Sequence, residues 1–102
     1  MPRVMVRYRV RPEHVAENEE LVRAVYAELA ASSPDGLRYA TFQLPDGLTF
    51  VHLAEHDVEN PLRAVSAFQK FQEGIVERCD EPPVATELEE VGAYRFFEPA
   101  GA

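Results

Sequence analysis

The imidazoles and guanidiniums of this chain have the character and spacing to do chemistry together. His52 and His56 lie four positions apart in an alternating segment, so a strand would carry both on one face. A neutral imidazole beside a bound phenol can take its proton near pH 7; the same ring can equally be a hydrogen-bonded member of an interface. No third ligand stands at useful spacing, so a metal centre is not expected. Arg7 and Arg9 share one face of the first alternating segment, where a guanidinium can hold an enolate, phenolate or carboxylate. The ordinary alternative is an ion pair with Glu87, Glu89 or Glu90.

Tyr39 and Phe50, with Tyr94 and Phe96 near the C-terminus, could wall a site for a flat ligand or simply pack. Asn18 and Gln72 are polar residues inside apolar helical arcs, where each needs a partner or a pocket to face. His52 is therefore the candidate base, and Arg7, Arg9, Tyr39, Phe50, Asn18 and Gln72 are the candidate ligand contacts. Cys79, the one cysteine, reads as an inert core thiol and excludes an intrachain disulfide. There is no Gly-rich phosphate loop and no nucleophile elbow, which disfavours nucleotide binding and triad hydrolysis.

The elements that must position these residues follow from periodicity. Arg3–Arg11 alternates strictly, with Val4, Val6, Tyr8 and Val10 on one face, which predicts a strand. Pro12 to about Ser32 turns to a 3.6-residue period through Val15, Val22, Tyr26 and Leu29. Leu37–Leu44 and Leu48–Asp57 read as strands joined by the Pro45-Asp46-Gly47 turn. From Pro61 a second helix places Val65, Phe68, Phe71, Gln72, Ile75, Val76 and Cys79 on one face, and Pro82-Pro83 ends it. Val84–Phe97 then reads as a last strand bent at Gly92.

The order β-α-β-β-α-β with right-handed crossovers predicts one α+β domain over residues 1–102: a ferredoxin-like four-stranded antiparallel sheet with both helices on one face. The helices are expected to cover Val4, Val6, Tyr8, Val10, Ala40, Phe42, Val51 and Leu53. The opposite face would then carry Met5, Arg7, Arg9, Tyr39, Thr41, Gln43, Phe50, His52, Ala54 and His56, a surface too aromatic to leave in water. A second copy covering it would form a homodimer around a cavity. A net charge of −8 disfavours nucleic acid and anionic membranes. Alternation directly after Met1-Pro2-Arg3, and no long apolar run, predict a soluble cytoplasmic protein.

Asp35-Gly36-Leu37-Arg38-Tyr39, the hairpin, and the run from Asn60-Pro61-Leu62-Arg63 to Ala67-Phe68-Gln69-Lys70-Phe71 resemble the antibiotic-biosynthesis-monooxygenase-like family of the dimeric α+β barrel superfamily. The resemblance implies two sheets packed face to face in a homodimer, with a pocket between sheet and helices in each subunit. It also implies oxidation of a small aromatic or polyketide-type molecule by O₂ without a cofactor, although many members have no established activity. The helical histidine common in that family is missing, and no Trp is present, which argues against haem degradation. The alternatives are a non-catalytic homodimer that binds a small apolar ligand or serves only as a stable structural module, and a cyclase or isomerase independent of O₂.

Overall fold

The computed structural model describes residues 2–57 and 59–96. Strand β1 (Arg3–Val10) leads through a 3₁₀ turn at Pro12–His14 into helix α1 (Val15–Ser32). Strands β2 (Leu37–Gln43) and β3 (Thr49–His56) form the hairpin. A second 3₁₀ turn at Pro61–Ala64 precedes helix α2 (Ser66–Gln72), a single turn α3 (Ile75–Arg78) and strand β4 (Cys79–Glu87). The sheet is antiparallel with order β2-β3-β1-β4, the ferredoxin-like arrangement expected from the element order.

Local chemistry accounts for most boundaries. Pro12 cannot continue the β1 ladder and opens the 3₁₀ turn with its fixed φ. In the hairpin, the Asp46 carboxylate accepts from the Leu48 and Thr49 amides and the Thr49 hydroxyl. Those bonds hold its pKa down to about 2. Gly36 sits at φ 73°, a left-handed conformation that strains any residue bearing a Cβ, and a Cβ there would also have to displace the Asp57 carboxylate. Glu28 of α1 reaches across to the start of α2, accepting from the Ser66 and Ala67 amides and the Ser66 hydroxyl. These bonds lower its carboxyl pKa and dock α2 on α1.

Two element boundaries differ from expectation. The second helical stretch is not continuous: Gly74, at φ 71°, breaks it between α2 and α3. The last strand is Cys79–Glu87, not Val84–Phe97, and Phe97 lies outside the described residues. Cys79 therefore opens a strand instead of ending a helix, although it is buried in the core as predicted. Pro82 and Pro83 do not stop the chain as a helix terminator would. They sit within β4, which is an edge strand and needs no second row of amide donors.

The faces of the hairpin are also the reverse of those expected. Val6 stands opposite His52 and Tyr8 opposite Phe50, and His52 in turn faces Thr41 while Ala54 faces Tyr39. Tyr39, Thr41, Phe50, His52 and Ala54 thus share the helix-covered face with Val4, Val6 and Tyr8. Ala40, Phe42, Val51 and Leu53 lie on the outer face with Met5, Arg7 and Arg9, the reverse of the expected assignment. Both faces of β2 and β3 are apolar enough to be buried, and a one-residue change of phase exchanges them. The broad rings fill the gap under the helices: Tyr8, Val10, Val25, Phe50, Leu62 and Phe71 form the buried core with Cys79.

On the outer face, Glu55 is 1% exposed, clamped between Arg3 and Arg38, whose side chains are about one-third exposed. The rest of that face is a sheet surface of Met5, Ala40, Val51 and Leu53, flanked by exposed Phe42 and Val84.

Candidate functional site

A cavity of about 620 Å³ opens between the helix-covered face of the sheet and the segment from Asn60 to Ile75. Its floor is Val4, Val6, Tyr8, Tyr39 and His52, with Pro83 and Ala85 from β4. Its roof is Leu62, Phe68, Phe71, Gln72 and Ile75. The rings close on one another, with Phe71 5.3 Å from His52 and Phe68 6.4 Å from Tyr39, centroid to centroid.

One row of polar groups crosses this apolar space. His52, 5% exposed, meets the Tyr8 hydroxyl through Nε2 at 2.8 Å. Through Nδ1 it meets the Tyr39 hydroxyl at 2.6 Å and Thr41 Oγ1 at 3.1 Å. Behind Tyr8, Asn18 Nδ2 donates to the hydroxyl at 2.9 Å, and Arg78 Nε donates to Asn18 Oδ1 at 3.2 Å. Arg78 also donates to the carbonyls of Phe71 and Glu73, and its guanidinium lies 5.4 Å from the Phe71 ring centroid. At the other end Thr41 meets the Tyr26 hydroxyl at 2.8 Å.

Burial decides the charge state of this row. It pushes the His52 pKa down to about 4, so the ring is neutral at pH 7. Burial also pushes the Tyr8, Tyr39 and Tyr26 phenols up, so all three keep their protons. Arg78 is the charged member, 4% exposed and without a carboxylate partner among the described residues. Three oxygen acceptors and a ring face stand in for its hydration.

The structure brings together four of the residues singled out from sequence. His52, Tyr39 and Gln72 line the cavity, and Asn18 is buried one bond behind it. Phe50 is not on the cavity wall; it stacks on Tyr8 at 5.6 Å and supports it from behind. Arg7 and Arg9 are on the other side of the sheet and do not meet His52. There Arg9 pairs with Asp80 and Glu81, not with Glu87, Glu89 or Glu90, while Arg7 is exposed and has no ion pair among the described residues. His56 bonds the Asp57 carbonyl through Nδ1, away from the cavity. Tyr94 is 81% exposed and outside the cavity as well.

Sequence reasoning missed Tyr8 and Arg78. Tyr8 was visible as a hydroxyl in a strand face otherwise of valines, a polar atom that needs a partner under the helices. Arg78 gave no such signal, since its burial depends on the break at Gly74.

Comparison with known proteins places this geometry on a populated fold. No family model matches the sequence, and no curated protein matches it. Several solved structures do match the fold. Rv0793 from Mycobacterium tuberculosis superposes with a TM-score of 0.69 at 19% identity, over 90% of this chain and 96% of that one. A proposed antibiotic biosynthesis monooxygenase from Nitrosomonas europaea gives a TM-score of 0.71 at 14% identity, over 90% of this chain and 100% of that one. SnoaB, a cofactor-independent oxygenase from Streptomyces nogalater, in a point-mutant form, gives 0.64 at 15% identity over 92% and 96%. The chain therefore has the fold that the sequence resemblance implied, shared with proteins named as monooxygenases of antibiotic biosynthesis.

The polar row makes a stability prediction. Tyr8→Phe removes one oxygen, adds no bulk, and strands both Asn18 Nδ2 and His52 Nε2 in a buried setting. Urea unfolding should show a loss of about 1–3 kcal/mol with an unchanged slope. A loss below about 0.5 kcal/mol would mean that water replaces the hydroxyl at no cost and that the row is not structural.

Proposed function

We propose that this protein is a cytoplasmic, cofactor-independent monooxygenase-like homodimer that takes a small, flat, aromatic molecule into the cavity over His52. The observation that carries this reading is the cavity itself. Its volume of about 620 Å³ is within the range of small-molecule sites, and aromatic walls surround one row of directed polar groups. Similarity of fold to SnoaB and to the Nitrosomonas protein supports the reaction class.

The chemistry needs only substrate and O₂. A methylene activated by neighbouring carbonyl or phenol groups loses a proton, and the carbanion adds O₂ through a new C–O bond. Protonation gives a hydroperoxide, and loss of water leaves a carbonyl. One oxygen atom stays in the product, the other leaves as water, and the substrate is its own reductant. The protein must hold the flat ring system, accept the first proton and stabilise the enolate oxygen. Phe68 and Phe71 serve the first task, and Tyr8, Tyr39 and His52 the other two. Arg7 and Arg9, on the far side of the sheet, take no part within the same chain.

A second reading, a binding module without turnover, is favoured by one feature: both His52 nitrogens are already bonded, and protonating the ring in this setting is costly. Parallel measurements of binding and O₂ uptake separate the two. With anthrone under O₂, wild type should consume one O₂ per product, and His52→Ala should lower the rate about 100-fold or more. Binding of anthrone with no O₂ uptake would select the second reading.

The homodimer rests on the outer face. Met5, Val51 and Leu53 form an apolar surface on the two central strands, Ala40 continues it onto β2, and exposed Phe42 and Val84 flank it. A second copy packed on that face would remove these groups from water. Leu53→Asp should sediment as a monomer with its circular dichroism unchanged, and wild type as a dimer at micromolar concentration. A monomeric wild type would overturn this part of the proposal.

A further inference from the structure

Hydrogen-bond donors and acceptors along the buried row fix a direction for the bonds from Arg78 to Tyr39. Arg78 Nε is a donor only, so the Asn18 atom facing it at 3.2 Å must be the carbonyl oxygen. That orientation turns the Asn18 NH₂ toward Tyr8, whose oxygen accepts at 2.9 Å. The Tyr8 hydroxyl then has its own proton to place, and the acceptor within reach is His52 Nε2 at 2.8 Å. Nε2 is therefore bare, and in a neutral ring Nδ1 carries the proton. Nδ1–H points at the Tyr39 oxygen, 2.6 Å away, with Thr41 Oγ1 more distant at 3.1 Å.

The Tyr39 oxygen is thus already an acceptor, which leaves its O–H to donate. Tyr39 lines the cavity, and Thr41 lies beside its hydroxyl, so Thr41 and a ligand oxygen compete for this one proton. Asn18 itself is 0% exposed and is absent from the cavity wall, so it acts on a ligand only through Tyr8 and His52.

We infer that Asn18, locked by Arg78, is a positioning residue that selects the Nδ1–H tautomer of His52 and so makes Tyr39 the donor to a carbonyl oxygen of the bound molecule. The inference deepens the proposed function and rests on it for the identity of the ligand, while the tautomer stands on the hydrogen-bond row alone. A phenol donor backed by an imidazole N–H is stronger than a free phenol, because each bond polarises the next. It is suited to an oxygen that gains negative charge when its neighbouring carbon is deprotonated. The proton released from that carbon travels the other way: it is taken up on the Tyr8 oxygen while the Tyr8 proton passes to the bare Nε2.

The test is the nitrogen spectrum of the His52 ring in ¹⁵N-histidine-labelled protein, with no ligand present. Wild type should show Nε2 in the unprotonated range and Nδ1 in the protonated range. Asn18→Asp keeps the partner of Arg78 but replaces the donor facing Tyr8 with an acceptor, so the two His52 resonances should exchange places. A wild type with protonated Nε2, or a folded Asn18→Asp with the tautomer unchanged, would overturn the inference. If Asn18→Asp does not fold, the wild-type spectrum alone decides. In a binding arm, wild type should prefer 9-fluorenone over fluorene by about tenfold, the worth of one good hydrogen bond, and Tyr39→Phe should lose that preference. Equal binding of the two would overturn the donor role of Tyr39. Binding of neither, with the tautomer as stated, would overturn the aromatic-ligand reading and leave the role of Asn18 in place.

Discussion

An imidazole buried beneath two helices must be neutral and must find partners for both ring nitrogens, and the architecture around His52 follows from those two demands. Tyr8 meets one nitrogen, and Tyr39 with Thr41 meets the other. Those hydroxyls need partners in turn, which brings in Asn18, Tyr26 and finally Arg78. Every added group is another polar atom that hydrocarbon cannot satisfy, so the row runs on from Tyr26 at one end to Arg78 at the other, which also donates through Nη1 and Nη2 to the carbonyls of Glu73 and Phe71 at the end of α2. One network thereby ties β1, β2, β3, α1 and the break between α2 and α3 to the wall of a cavity.

The sheet divides its labour between two faces. The inner face holds large rings and the polar row, and these leave a void under α2. The outer face holds mainly aliphatic side chains with Phe42 at its margin, Glu55 clamped between two arginines at one end and Arg9 paired to Asp80 and Glu81 at the other. A broad, largely aliphatic sheet surface suits contact with another sheet, whereas rings around a void suit a small molecule. The two proposed activities of this chain, pairing and ligand capture, therefore occupy opposite sides of the same four strands.

Much of this was legible in the sequence, for identifiable reasons. The Val4-Val6-Tyr8-Val10 alternation, the Pro45-Asp46-Gly47 turn and the 3.6-residue period after Pro12 each have one sensible physical reading, and together they specify the fold. Asn18 stood out because a polar amide in an apolar arc has to be bonded. The faces of β2 and β3 were not legible, because Ala40, Phe42, Val51 and Leu53 are as buriable as Tyr39, Phe50 and His52. Only pairing with β1 chooses between the sets. Gathering His52, Arg7 and Arg9 on one surface followed from that choice of phase, and the structure separates them. Arg78 was hidden for a different reason. A basic residue at the end of a helical stretch normally reaches solvent, and nothing local announces that Gly74 turns this one inward.

The direct measure of this account is the titration of His52 itself, followed by the NMR resonances of its ring from about pH 8 down to about pH 4. Because burial lowers the folded value from 6.5 to about 4, only the unfolded chain takes up this proton in that interval, so the contribution of His52 to stability is complete above 6.5 and drains away as the pH falls toward 4. The account predicts ring resonances that hold still to about pH 5. A ring that titrates near 6.5 with the fold intact would show His52 open to water, and the buried row on which the site is built would not exist.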